Sequence, residues 1–264
     1  LYAFDRATGE PLWKTALETD RERWEISATT ASGGMVFVGG ASYVGAFDGV
    51  SGQPVWSVSL GKSDWWPSCY VIPVVADGRL VLMTRAGAHA YLAKTGDPLW
   101  DVKGNFHGCT VVGGAIYTIK DDLPTMIDLL TGKVGWSGTD KVGDTASVPA
   151  ISEGKMVVGT ADGRVCAYST KDGSLVWKFQ TGRALSSLQP YRRDISDVNS
   201  SPAIYGGVVY VGSSDGYLYA LSLKDGKKIC SYYLGSPIAS SPMVDGMLYV
   251  AAYDGNVYAF DLLR

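Results

Sequence analysis

Histidine is nearly absent from this chain: His89 and His107 are the two in 264 residues. A serine nucleophile needs an adjacent base, so the paired serines at 200–201 and 240–241 have no inventory for a hydrolytic triad and recur instead as repeat positions. A lone histidine without a second ligand reads as a hydrogen-bonded structural residue, and His89, inside an apolar run, as packing. Cysteine is sparse as well. Cys69, Cys109, Cys166 and Cys230 show no CxxC spacing, which excludes a zinc cage and a disulfide framework as organising features. Cys109, Cys166 and Cys230 fall in apolar runs and are expected to be buried small residues.

Charge is low, at 19% of residues, and the net charge is −3, so no sequence-wide positive field exists to hold a phosphate backbone; nucleic acid is not an expected partner. No stretch approaches the roughly 18 uninterrupted apolar residues of a membrane-spanning helix, and no membrane span is expected. Helical periodicity is missing too, and with it any glycine-rich phosphate loop leading into a helix. There is no initiator Met, and the chain opens in the middle of a repeat, which predicts further sequence upstream, an export signal or another domain included.

What the chain does have is glycine, tyrosine and tryptophan, 33, 16 and 8 of them, arranged with a period. A small residue, then Asp or Ser, then Thr/Ser/Asp-Gly, then Trp recurs at Ala3-Asp5-Thr8-Gly9-Trp13, Ala46-Asp48-Ser51-Gly52-Trp56, Ala90-Leu92-Thr95-Gly96-Trp100, Met126-Asp128-Thr131-Gly132-Trp136 and Ala167-Ser169-Asp172-Gly173-Trp177. The sixth copy, Ala220-Ser222-Asp225-Gly226, ends on Cys230, and a seventh begins at Ala259-Phe260-Asp261. Successive turn glycines lie 43, 44, 36, 41 and 53 residues apart, the span of one four-stranded propeller blade. Gly-Gly and Asp-Gly between β-branched and aromatic runs mark the hairpins, since these residues accept positive φ at low cost. The near-continuous apolar strands fit sheets covered on both faces. Within the phrase, Asp bonds the backbone two residues on, Gly makes the turn, and Trp lays its ring over the next blade.

The expected fold is therefore all-β: one β-propeller over residues 1–264, built of four-stranded antiparallel blades with at least six repeats, as a six-bladed ring or as part of a seven- or eight-bladed one. AxDxxTGxxxW at residues 3–13, and SSPxxxxGxVYVGSxDGxLYAL at 200–221, resemble the repeats of the PQQ-like, quinoprotein alcohol dehydrogenase-like propeller superfamily. The resemblance covers nearly the whole chain. It implies a fold, and a choice among quinone-dependent dehydrogenases, outer-membrane assembly lipoproteins of the BamB type, and propellers appended to kinases or phosphoesterases. Such dehydrogenases hold pyrroloquinoline quinone beside Ca²⁺ with two adjacent, disulfide-bonded cysteines. No two cysteines here are adjacent and no matching acidic and amide set carries over, so no cofactor and no metal is expected, nor any catalytic residue. The resemblance points to an extracytoplasmic, bacterial, non-catalytic scaffold.

Function is added where a repeat departs from its own pattern, and that is the connection from each fourth strand to the next blade. Residues 17–26 present Trp24 among charges, 61–70 present Trp65, Trp66 and Tyr70, and 182–199, the longest insertion, carries Arg183, Tyr191, Arg192 and Arg193. His107, placed just before a first strand, is expected near the channel. Together these residues suit a rim of aromatic faces and guanidinium groups that binds a protein segment, a glycan or a small acidic ligand. The alternative is that the tryptophans cap the core and the charges are solvated surface pairs.

Overall fold

The recurring phrase closes the last hairpin of each sheet, and its chemistry explains the architecture. The computed structural model describes residues 1–17, 29–39, 43–60, 72–185 and 197–262. Among them every regular element is a strand. β1 (Tyr2–Phe4) and β2 (Pro11–Lys14) form a two-stranded sheet; β3 (Thr29–Ser32), β4 (Met35–Gly39), β5 (Tyr43–Asp48) and β6 (Pro54–Ser59) form the next. β7 (Val74–Ala76), β8 (Arg79–Met83), β9 (Gly87–Leu92) and β10 (Pro98–Lys103) follow, then β11 (Phe106–Val112), β12 (Ala115–Lys120), β13 (Leu123–Asp128) and β14 (Val134–Ser137). β15 (Ala150–Ser152), β16 (Lys155–Gly159), β17 (Arg164–Ser169) and β18 (Leu175–Gln180) precede β19 (Ala203–Tyr205), β20 (Val208–Gly212), β21 (Tyr217–Ser222) and β22 (Lys228–Tyr233). A three-stranded sheet of β23 (Met243–Asp245), β24 (Met247–Ala251) and β25 (Val257–Phe260) comes last. Each sheet is an antiparallel meander in chain order. The strands group into two compact units, Leu1–Phe106 and His107–Arg264.

Second and third strands are buried along almost their whole length, as in β20 and β16, whereas fourth strands alternate between exposed and half-covered residues, as in β6 and β10. Within each unit the buried faces of neighbouring sheets meet. Val157, Val165 and Ala167 pack on Val209, Val211 and Tyr219, and Phe37, Val44 and Ala46 pack on Leu80, Leu82 and Tyr91. Sheets covered on both faces by similar sheets are propeller blades, and the fold is a β-propeller.

The phrase does more than the sequence suggests. Asp5 and Asp48 each accept from backbone N–H groups two and three residues on, and from the hydroxyl of Thr8 or Ser51. The small residue stands opposite the tryptophan in the ladder, Ala46 against Trp56 and Ala167 against Trp177, with a bulge immediately after it. Four of the indoles cross to the neighbouring blade. Trp13 Nε1 donates to Gly49 O, Trp56 to Ala93 O, Trp136 to Thr170 O and Trp177 to Leu223 O, at 2.9–3.1 Å. The turn glycine is the ring's seat: a Cβ on Gly226, whose φ is +71°, would lie 2.6 Å from the Trp177 ring. The tryptophans are not equally buried. Trp177 is 7% exposed, while Trp13, Trp56 and Trp136 are only partly covered, so the blade-to-blade contact is not of full-burial strength throughout.

Nearer the start of the blades of the unit His107–Arg264, Ser147 and the serine pairs work as stitches. Ser147 Oγ accepts from Gly159 N and donates to Ser200 O, both at 3.0 Å, and Ser200 Oγ in turn accepts from Gly212 N at 3.1 Å. Ser201 Oγ accepts from Val148 N, and Ser241 Oγ from Ser201 N. Where the serine pair is missing, Thr110 Oγ1 donates to Pro149 O across the same seam.

The turn carboxylates make stability depend on acid. Hydrogen bonds from Thr8, Ser51 and Thr131 hold Asp5, Asp48 and Asp128 below the ordinary 3.8. A carboxylate lowered in the folded state contributes stability fully present above its unfolded value and lost as pH falls through the folded value. Urea midpoints should therefore be flat from about pH 7 to about pH 5 and fall steadily below pH 4. Replacing Asp5, Asp48 and Asp128 together by Asn should flatten that fall; an unchanged acid limb would mean that these turns do not couple to folding.

Candidate functional site

In the unit His107–Arg264 the connections leaving fourth strands and the turns between second and third strands lie at one end of the sheets, and hydrogen bonds tie them together. Leu185 N donates to Ser214 O, Ser214 Oγ to Asp197 O, and Tyr253 N to Pro237 O. Asp215 is the centre of this face. It is 3% exposed, yet its Oδ2 accepts from Gly182 N and from Tyr219 Oη, each at 2.6 Å, while Oδ1 accepts from Tyr217 N at 3.0 Å. Burial, then the bond to Asp215, pushes the Tyr219 phenol well up, so it stays a donor.

The equivalent acids of neighbouring turns are similarly occupied. Asp254 receives Tyr258 Oη and Asn256 N. Asp162 takes Arg164 Nε at 2.8 Å and Thr160 Oγ1; burial opposes its ionisation, and these bonds outweigh it and hold its carboxyl low. Arg164 also reaches Asp140, which Tyr168 Oη shares. These acids hold loops in place, as backbone-bonding turn residues do.

Beside Asp215 lies an exposed aromatic surface. Tyr217 and Tyr233 are cross-strand partners with ring centroids 4.8 Å apart, and Leu185 folds over Gly216 next to them, where a Cβ would meet it at 2.7 Å. Arg183 is exposed two residues before Leu185. On the other side of Ser214 a solvent-open depression of about 180 Å³ is lined by Asp197, Asn199, Ile238 and Tyr253 among others. It is open to solvent rather than enclosed, so this face suits a chain segment lying across it better than an enclosed ligand.

Of the residues expected at the rim, Arg183 is on this face. Trp24, Trp65, Trp66, Tyr70, Tyr191, Arg192 and Arg193 lie outside the described residues. His107 corrects its expectation: it is the second residue of β11 rather than part of a preceding loop, its side chain is 8% exposed, and Nδ1 lies 3.7 Å from Asp144 Oδ1, a carboxylate 37 residues away that local sequence could not supply. His89 is not simply packing, since Nδ1 pairs with Asp101 at 2.6 Å across β9 and β10. Cys109 and Cys166 are buried, while Cys230, expected to be buried, is only partly covered. Burial pushes the thiols of Cys109 and Cys166 up to about 12 and about 11. With iodoacetamide at about pH 8, Cys230 should label in the native chain, and Cys109 and Cys166 only after unfolding. Labelling of Cys166 ahead of Cys230 would contradict the packing described. Asp162, Asp215 and Asp254 are the turn carboxylates that backbone bonding was expected to explain, but sequence reasoning missed Tyr217, Tyr233 and the bond from Tyr219 to Asp215; for that bond the available signal was Asp-Gly-x-x-Tyr, repeated at 215–219 and 254–258.

The model of one family, outer membrane protein assembly factor BamB, matches residues 1–109 and 87–264. The chain belongs to this family. Curated BamB relatives include the Yersinia pestis protein, 26% identical over 97% of this chain and 58% of its own length, and the Escherichia coli K12 protein, 28% identical over 84% and 59%. The chain thus spans about three fifths of the length of those relatives. Among solved structures, BamB from Moraxella catarrhalis superposes with a TM-score of 0.77 at 20% identity, covering 99% of this chain and 76% of that one. Membership of the BamB family accounts for the blade repeat. Among the described residues no helix is long and apolar enough to cross a membrane, and no three His, Cys, Asp or Glu side chains converge as a metal site would require.

Proposed function

We propose that this chain is the propeller scaffold of a bacterial, extracytoplasmic outer membrane protein assembly factor, and that its loop-rich face binds a segment of another protein without catalysing a reaction. The observation that carries this reading is the family match along the whole chain. The use of Asp162, Asp215, Asp254 and the paired serines as internal hydrogen-bond partners supports it, because those groups are committed to holding loops and seams. Arg183, Leu185, Tyr217 and Tyr233 offer a guanidinium and aromatic surface of the kind that anchors protein partners.

Photo-cross-linking in a bacterial envelope tests the assignment of the face. A cross-linkable residue at Arg183 or Leu185 should capture outer membrane proteins or their assembly machinery, and one at Lys171 or Lys224, in turns at the opposite end of the sheets, should not. Capture only from the opposite end overturns the assignment. Turnover of alcohols or sugars after addition of pyrroloquinoline quinone and Ca²⁺ would overturn the non-catalytic reading.

A further inference from the structure

The turns built on the repeated phrase differ in the charge they carry. Residues 5–11, 48–54, 92–98, 128–134 and 169–175 hold at most one basic residue each, whereas 222–228 holds Lys224, Lys227 and Lys228, all exposed. The turn's geometry does not ask for them. Gly226 is left-handed and seats the Trp177 ring just as Gly52, Gly96 and Gly173 seat Trp13, Trp56 and Trp136. A departure from the repeat that the fold does not need is where function is added.

The neighbours of this turn extend the same character. Leu223 N donates to Gly207 O, which brings the hairpin after Tyr205 beside it, and Tyr205 and Ile229 are both exposed there. On the preceding blade Trp177 Nε1 reaches Leu223 O, and the turns that carry Lys155 and Lys171 are joined by the bond from Thr170 N to Gly154 O. Against these five lysines stand Glu153, Asp172 and Asp225. Asp172 is held by Ser174, and Asp225 pairs with Lys227 at 3.1 Å. At the loop end of the same blades the balance among the described residues reverses, with Asp140, Asp144, Asp162, Asp197 and Asp215 against Lys141, Arg164 and Arg183. The two ends therefore differ in sign, and the turn end is the one that an anionic surface would draw in.

We infer that the turn end of β15–β22 rests on an anionic phospholipid surface, with Lys171, Lys224, Lys227 and Lys228 among the headgroup phosphates and Tyr205 and Ile229 at the depth of the glycerol region. The composition of the patch selects this partner. Its cations are all lysines, which act as point charges on flexible stems and suit a fluid array of phosphates, whereas a carboxylate or phosphate fixed in a protein partner is met best by the planar fork of arginine. Lysines with an exposed tyrosine and an aliphatic side chain are what an interfacial surface needs, since each lysine adds electrostatic attraction and the aromatic ring is at home at the headgroup level. This end lies opposite Arg183 and Leu185, so lipid contact and protein capture by the loop face stand or fall separately.

The test is co-sedimentation of the chain with phosphatidylethanolamine vesicles in which roughly a quarter of the lipid is phosphatidylglycerol, with uncharged phosphatidylcholine in its place as control. The chain should bind the anionic vesicles and not the uncharged ones, and raising salt from about 0.05 M to about 0.5 M should release it as the Debye length contracts. Replacing Lys224, Lys227 and Lys228 together by Gln should weaken binding by about thirtyfold, whereas Lys141→Gln at the loop end should change it less than about twofold. Thermal unfolding of the triple variant should match the native chain, because no backbone or buried group is touched. Equal binding by the triple variant and the native chain, equal binding to uncharged vesicles, or no binding at millimolar lipid would each overturn the inference. Release by millimolar inorganic phosphate at constant ionic strength would assign the lysines to a free phosphate, and saturable binding of a polyglutamate peptide that outcompetes the vesicles would assign them to an acidic polypeptide; either result overturns it as well.

Discussion

Trp177→Ala should lower the unfolding free energy by about 3–5 kcal/mol, the range for deleting a buried aromatic ring. For a chain of this size that is a fall in melting temperature of about 8–15 °C. Three losses combine: the ring leaves the buried cluster it shares with Val209, Tyr219 and Leu223 of the neighbouring blade, its Nε1 bond to Leu223 O at 2.9 Å goes, and the left-handed Gly226 turn loses the ring seated on it. Trp13→Ala, at the same place in the repeat but with the ring only partly covered, should cost clearly less. Thermal unfolding of the two variants side by side decides the matter. Equal losses would mean that the shared phrase, and not burial, sets the strength of each contact.

The second large effect is expected at Asp215. Asp215→Ala strips the acceptor from the buried Tyr219 Oη and from the partly covered Gly182 N and Tyr217 N, and an abandoned buried donor costs about 1–3 kcal/mol. A total near 3 kcal/mol is expected, measured by urea unfolding. Tyr219→Phe should cost less alone, and in combination with Asp215→Ala the two should be strongly non-additive, because they remove opposite ends of one bond. Asp254→Ala, on the exposed copy of the same turn, should scarcely move the urea midpoint. If Asp254 mattered as much as Asp215, the argument from burial would be wrong.

How far the sequence could be read follows from what repetition does and does not encode. Gly9, Gly52, Gly96, Gly132, Gly173 and Gly226 recur because each turn needs a left-handed residue, and all six have φ between 70° and 78°, so blade spacing was legible from residue types alone. The seat of the indole on the next glycine was not, because it joins residues about 40 positions apart. For the same reason Asp144 beside His107, and Gly182 bonded to Asp215, were invisible to local pattern. Cys230 was noticed as a missing tryptophan and expected to be buried. The structure leaves it only half-covered, as it does Trp13, Trp56 and Trp136 in the same slot of other blades. The rim residues from the other long connections fall outside the described residues, and Arg183 alone ties the expected site to the observed face.

The shared serine hydroxyls have a consequence for how the second unit comes apart. Because Ser147 bonds both its own blade's Gly159 and the next blade's Ser200, and Ser201 both receives from Val148 and gives to Ser241, the sheet β19–β22 cannot detach without breaking bonds on two sides. Coupling between nearest neighbours of this kind raises the cost of every boundary between melted and intact repeats. Partial structures with one blade lost from the middle are therefore disfavoured, and heat should empty this half of the molecule in one sharp transition.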